Sequence, residues 1–176
     1  MITSIGITAS RHGLSDIQRR TLTAFLHRAR MAGAARFHHG CCVGGDDEGA
    51  QIAHNLGYRV IGHPPLKPSS KSLRAVELSH ELREPKNYLP RDRDIVDEIG
   101  TGALIGLPNG PEVWSGSGTW YTIHYAQQMA TSRLVMLPTG VVADRVGVDD
   151  LHVDIARGEF AARGVSTDQG IGKEVG

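Results

Sequence analysis

Short runs of aliphatic and β-branched residues alternate along the chain with stretches whose apolar positions recur every three or four residues, a pattern that predicts strands separated by helices. Ile2 to Thr8 predicts a buried first strand, stopped by Ala9-Ser-Arg-His-Gly13. A helix follows, with Ser15 as its N-cap, Ile17, Leu22, Phe25, Leu26 and Ala29 as its apolar stripe, and Gly33 at its end. Ala35 to His39 predicts a second strand, Asp46 to Gly57 a helix with acidic residues at its positive end, and Tyr58 to Gly62 a third strand. Leu66 to Pro90 has no sustained period, although Ser72 to Leu82 suits a short helix. Arg91 to Ile99 and Gly118 to Ala130 read as helices, and Ala103 to Pro108 and Arg133 to Pro138 as strands.

Strands alternating with helices imply right-handed crossovers and a mainly parallel sheet. The expected fold is therefore α/β and Rossmann-like, with about five or more strands flanked by helices. Residues 1–140 are expected to form this domain, with a mobile insertion at about 66–90. Residues 141–176 form an extension expected to be partly disordered or a dimer arm: 141–148 and 151–156 leave hairpin, helix or arm open, and 164–176 looks disordered.

The length, 176 residues, fits one core. Lys plus Arg equals Asp plus Glu at 19 each, so no global field draws in nucleic acid, an acidic substrate or an anionic membrane. Aromatic residues make up 5% of the chain, too few for a long base-stacking groove, so nucleic acid is not the expected partner. There is no basic, apolar leader and no membrane-length apolar run, which gives a cytoplasmic expectation. Cys41 and Cys42 are sequence neighbours, poorly placed to pair with each other.

In a parallel sheet, ligands bind beyond the carboxyl ends of the strands, so the loops after the strands carry the candidate chemistry. These are Ser10-Arg-His-Gly13, His38-His-Gly-Cys-Cys-Val-Gly-Gly-Asp46, Gly62-His-Pro-Pro65 and Asn109 to Thr119. Ser115-Gly-Ser-Gly-Thr-Trp120 opens a helix. Its glycines admit close backbone approach, and the free N–H groups of the helix start favour a phosphate or carboxylate. The plainer alternative is a glycine-tolerant loop capped by Thr119. It is neither a Gly-Lys-Ser/Thr phosphate loop nor the Gly-x-Gly-x-x-Gly dinucleotide fingerprint, so a redox nicotinamide cofactor is not expected. Arg11 and Arg91 can clamp a phosphate bidentately or be solvated surface residues. Asp46 can accept from a ribose hydroxyl or cap its helix. His124 can act as acid or base or pack against the sheet. His38, His39, Cys41 and Cys42 are too close in sequence to converge on one ion, so no metal is expected.

The set Thr8-Ala-Ser-Arg11, His39 to Asp46, Gly62-His-Pro-Pro65, Arg91-Asp-Arg-Asp-Ile-Val96 and Ser115 to Trp120, in this order over residues 2–138, resembles the SLOG superfamily. Lonely Guy phosphoribohydrolases, Smf-type DNA-processing proteins and nucleotide-sensing domains belong to it. The resemblance implies a nucleotide site lined by Ser10, Arg11, Gly40, Gly44, Asp46, His63, Pro64, Arg91, Ser115, Gly116, Ser117, Gly118, Thr119 and Trp120, and a homodimer. Arg91 is similar to the arginine that Lonely Guy enzymes use. Where those enzymes carry a catalytic Glu three positions past the Gly-Thr, this chain has Thr122, and Glu112 sits in an inserted loop before it. The expected function is binding or sensing of a nucleotide or derivative such as ADP-ribose, without a cofactor. The alternative is an N-glycosidic phosphoribohydrolase or nucleoside transferase with Arg91 holding phosphate and Glu112 or Asp46 as a non-standard acid.

Overall fold

The computed structural model describes residues 2–111 and 117–148. Seven strands form one sheet: β1 (Ser4–Ala9), β2 (Arg36–His39), β3 (Arg59–Gly62), β4 (Glu81–Leu82), β5 (Ala103–Leu107), β6 (Ser132–Met136) and β7 (Val142–Val146). Their spatial order is β4-β3-β2-β1-β5-β6-β7. Every pairing is parallel except β6 with β7. This is the α/β, Rossmann-like architecture that the alternating pattern predicts.

Five helices connect the strands: α1 (Asp16–Met31), α2 (Gly45–Asn55), α3 (Leu73–Glu77), α4 (Tyr88–Ile99) and α5 (Gly118–Gln128). Successive strand residues face opposite sides of the sheet, and the chain fills both. On one side Ile5, Ile7, Phe37, Val60 and Ile105 meet Leu22, Phe25 and Leu26 of α1 and Ala50 and Ala53 of α2. On the other, Leu104 meets Ile95, Val96 and Ile99 of α4 and Ala126 of α5. A sheet covered on both faces explains why its strands read as apolar runs rather than as alternation.

The sequence pattern misses detail in three places. The stretch left aperiodic contains a three-ten turn at Pro68–Ser70, then α3 and β4, elements of five and two residues that are too short to show a period. Helix α4 begins at Tyr88, three residues before the predicted start at Arg91. Residues Val142–Val146, for which hairpin, helix or arm stayed open, form the antiparallel edge strand. The expected disorder of 164–176 lies outside the described residues, where 151–156 also falls. Among the described residues no helix is long and apolar enough to cross a membrane.

Candidate functional site

Chain direction reverses its lateral progress between β1 and β5. From β1 the chain moves outward through β2 and β3, and β5 then returns to β1's other side. At such a point the loops leaving the two strands diverge and open a crevice at their carboxyl ends. The loop after β1 is anchored there, with the Ser10 N–H donating to the Leu107 carbonyl at 3.1 Å and the Ser10 carbonyl accepting from Gly45 at 2.8 Å. Gly44 precedes α2 with φ of 88°. A Cβ on it would lie 2.4 Å from the Arg11 carbonyl oxygen, so only glycine lets the two loops touch.

Arg91, on the first turn of α4, reaches across the sheet edge. Its guanidinium lies over Gly40, where a Cβ would fall 1.4 Å from Nη1. Around it stand Asp46 (3.8 Å), Asp92 (3.3 Å), the Cys42 thiol (3.5 Å) and the Tyr88 ring, 5.8 Å from Cζ to centroid. Arg91, Asp46 and Asp92 are 6%, 5% and 5% exposed, so one buried cation faces two buried carboxyls. Burial raises the Asp46 carboxyl to about 6, against the pull of Arg91 and backbone donors. Burial likewise raises Asp92 to about 7, and neighbouring Asp46 adds to the effect while Arg91 opposes it. For Arg91, burial disfavours the charge, but Asp92 and Asp46 outweigh it and the group stays firmly protonated.

Helix α5 begins beside this cluster. Ser117 caps it, its hydroxyl accepting from Trp120 N–H at 3.3 Å, so the cap is two residues earlier than Thr119. The Trp120 indole N–H donates to the Gly110 carbonyl at 3.2 Å and ties the helix to the loop after β5. Thr122 is fully buried, its hydroxyl within reach of the Gly118 carbonyl at 2.8 Å and of the Asp92 carboxyl. A Cβ on Gly118 would stand 3.6 Å from Asp92 Oδ2.

Ser10, Gly40, Gly44, Asp46, Arg91 and Gly118 therefore gather on one edge, and the Arg11 side chain is exposed beside them. His63 and the buried Pro64 close β3 further out. The His63 ring turns to His38 at 3.1 Å rather than to Arg91. Glu112, Ser115 and Gly116 lie outside the described residues. His38 and His39 point to opposite faces, as strand neighbours must: His39 bonds the Ser79 hydroxyl (3.0 Å) and the Cys41 N–H (3.2 Å). Both thiols are held protonated by burial, at about 12.

Two polar residues that build the site were not singled out from the sequence. Asp92 lies three and seven positions before Ile95 and Ile99, inside the apolar stripe of α4. Gln18 stands four and seven positions before Leu22 and Phe25 in the stripe of α1. A charged or amide side chain in a buried stripe was the available signal. Gln18 donates to the carbonyls of Pro108 (3.0 Å) and Met136 (2.9 Å), fixing the chain as it leaves β5 and β6.

No family model matches the sequence, and no curated protein does. Solved structures do. The molybdenum cofactor binding protein from Rippkaea orientalis is 15% identical, with a TM-score of 0.55 over 78% of this chain and 77% of its own. DNA processing protein A from Helicobacter pylori, described for its single-stranded DNA binding mode, is 13% identical, with a TM-score of 0.55 over 84% and 70%. The structural-genomics target TM1055 is 13% identical, with a TM-score of 0.52 over 75% and 72%. The chain shares the fold of these structures.

Proposed function

We propose that the chain is a binding or sensing protein for a small nucleotide-like ligand, a nucleoside phosphate or an ADP-ribose derivative, held at the carboxyl edge between β1 and β5. The observation that carries this reading is the convergence of Ser10, Gly40, Gly44, Asp46, Arg91 and the start of α5 where the strand order reverses. With two carboxyls around it, Arg91 has little charge to spare for a phosphate. Its role in this reading is to hold Asp46 and Asp92 so that they accept from ribose hydroxyls. The phosphate belongs at the N–H groups opening α5 and at the exposed Arg11, with Thr119, Trp120 and the sequence-inferred Ser115 and Gly116 beside it. The neighbours' names give the molybdenum cofactor for one protein and single-stranded DNA for another, which supports ligand binding on this fold.

A second reading is supported by Asp92. This acid is held partly protonated near neutrality at the hydroxyl of Thr122, the position where Lonely Guy enzymes place their glutamate. Asp92 would then replace Glu112 or Asp46 as the non-standard acid of an N-glycosidic hydrolase.

Thermal-shift measurements with AMP, NAD, ADP-ribose, cyclic ADP-ribose and a single-stranded oligonucleotide, followed by chromatography of the mixtures, separate these readings. Stabilisation by a mononucleotide-sized ligand that survives intact is the expected result. Release of free base that Asp92→Asn abolishes would establish the enzyme instead. A response to the oligonucleotide alone, or to nothing, overturns both. Sedimentation of the same preparation tests the homodimer.

A further inference from the structure

On the α4 side of the sheet, about two helical turns along α4 from Arg91, three potential ligands converge from three elements. His38 is the penultimate residue of β2, His63 follows β3, and Glu98 lies on the last turn of α4. One donor atom from each lies within 4.8 Å of the others. His38 Nδ1 and His63 Nε2 are 3.1 Å apart, and His38 Nδ1 is 3.9 Å from Glu98 Oε2. Both imidazoles are 1% exposed, whereas the Glu98 side chain is about a third exposed and opens the cluster to solvent.

We propose that His38, His63 and Glu98 form a binding site for one divalent transition-metal ion of the zinc type, independent of the nucleotide site. Two nitrogens on a tetrahedral ion at bond lengths of about 2.0–2.1 Å stand roughly 3.3 Å apart, and the observed pair needs almost no movement to meet that spacing. Two imidazoles and one carboxylate suit zinc and its first-row neighbours and not calcium or magnesium, which take oxygen donors. With each ring proton on the outer nitrogen, the facing atoms of both neutral imidazoles offer lone pairs to the ion. Their outer atoms, His38 Nε2 and His63 Nδ1, meet no hydrogen-bond partner, so nothing else fixes the tautomers.

Glu98 is already oriented for the task. Arg83 holds it through Nε at 3.0 Å from Oε1 and 2.9 Å from Oε2, with Nη2 2.7 Å from Oε2. Turning Oε2 to the ion leaves Oε1 on Arg83, the outer-shell support that ligating carboxylates usually have. Arg83 also pairs with Glu81 at 3.0 Å, which offsets its charge beside a cation. Of the other cations that act on the pair, Lys86 is bound to Asp94 at 2.6 Å, Arg91 faces Asp46 and Asp92, and Arg36 donates to the Ser4 hydroxyl at 3.1 Å. An ion here would pin the ends of β2 and β3 to α4, the helix that carries Arg91. His38 and His63 are 25 residues apart, and Glu98 lies 35 beyond His63, which is why no ligand spacing appears in the sequence.

The test uses the tag-free full chain, stripped with chelator and titrated with Zn²⁺ by calorimetry and with Co²⁺ by visible absorption. One equivalent of metal, a rise of several degrees in Tm and imidazole ¹⁵N shifts assigned to His38 and His63 are expected. His63→Asn and Glu98→Gln should each weaken binding at least tenfold, while His54→Asn, at a histidine outside the cluster, leaves it unchanged. Glu98→Gln keeps size and exposure, so it decides the matter even if His63→Asn folds poorly. Absence of uptake of either metal, or full affinity retained in Glu98→Gln with the ¹⁵N shifts missing, overturns the site.

Discussion

The Arg91 guanidinium occupies the space that a side chain at Gly40 would fill, with Nη1 only 1.4 Å from where a Cβ would be. Glycine at the end of β2 is therefore a condition for the buried cation, and the cation in turn is the only positive charge in contact with Asp46 and Asp92 among the described residues. Gly40→Ala should displace Arg91 and cost more than about 2 kcal/mol, because the obstruction is a buried, multiply engaged group rather than a free side-chain end. Urea unfolding of the variant checks this; a midpoint equal to wild type would show that Arg91 can sit elsewhere at no cost.

The same cluster sets a pH dependence. Asp92 titrates at about 7 in the folded chain, above its ordinary unfolded value near 4. Its contribution is thus fully present below about pH 4 and is lost as the pH rises through 7. Removing the charge with Asp92→Asn should leave the variant progressively better off against wild type between pH 5 and 8, by roughly 2 kcal/mol over that window. Stability curves of both proteins measured across the range test the direction; a constant difference would mean that Asp92 titrates normally.

The buried histidines work in the opposite sense. His39 is held neutral, at about 3, chiefly by burial, so its contribution is present above pH 6.5 and is lost as the pH falls towards 3. His39→Asn should lower stability at pH 7 by about 1–2 kcal/mol through its lost bonds to Cys41 and Ser79. At pH 4 the penalty should shrink or reverse. Acid denaturation monitored by circular dichroism reads this, and a penalty that grows on acidification would contradict it.

Gln18 satisfies two buried carbonyls at once, at Pro108 and Met136. Gln18→Leu should cost about 2–3 kcal/mol by leaving both unpaired, and Gln18→Glu more at pH 8, where a carboxylate would face two carbonyl oxygens. Hydrogen exchange of the amides around Pro108 should rise in both variants; protection equal to wild type would remove Gln18 as the anchor of that loop.

Arg11 is exposed. If it meets the phosphate as proposed, Arg11→Ala should leave Tm within about a degree of wild type yet weaken nucleotide binding on the order of tenfold. Equal affinity in calorimetry would take Arg11 out of the site.

The sequence by itself determined the architecture. Strand and helix periods are local, so the order of β1, β2, β3, β5 and β6, the helices α1, α2, α4 and α5 between them, and the parallel sheet could be read from spacing alone, whereas α3, β4 and β7 could not. So could the cap at Ser15, whose hydroxyl accepts from Gln18 N–H at 3.2 Å. Asp92 and Gln18 were legible in principle as polar members of apolar stripes. Only the tertiary structure decided partners. Arg91 meets Asp46 from 45 positions away, and His38 finds His63 on the next strand while its neighbour His39 faces the other side of the sheet. Burial then set the charge of each carboxyl and imidazole, because desolvation depends on everything packed around a group and not on the residues beside it in the chain.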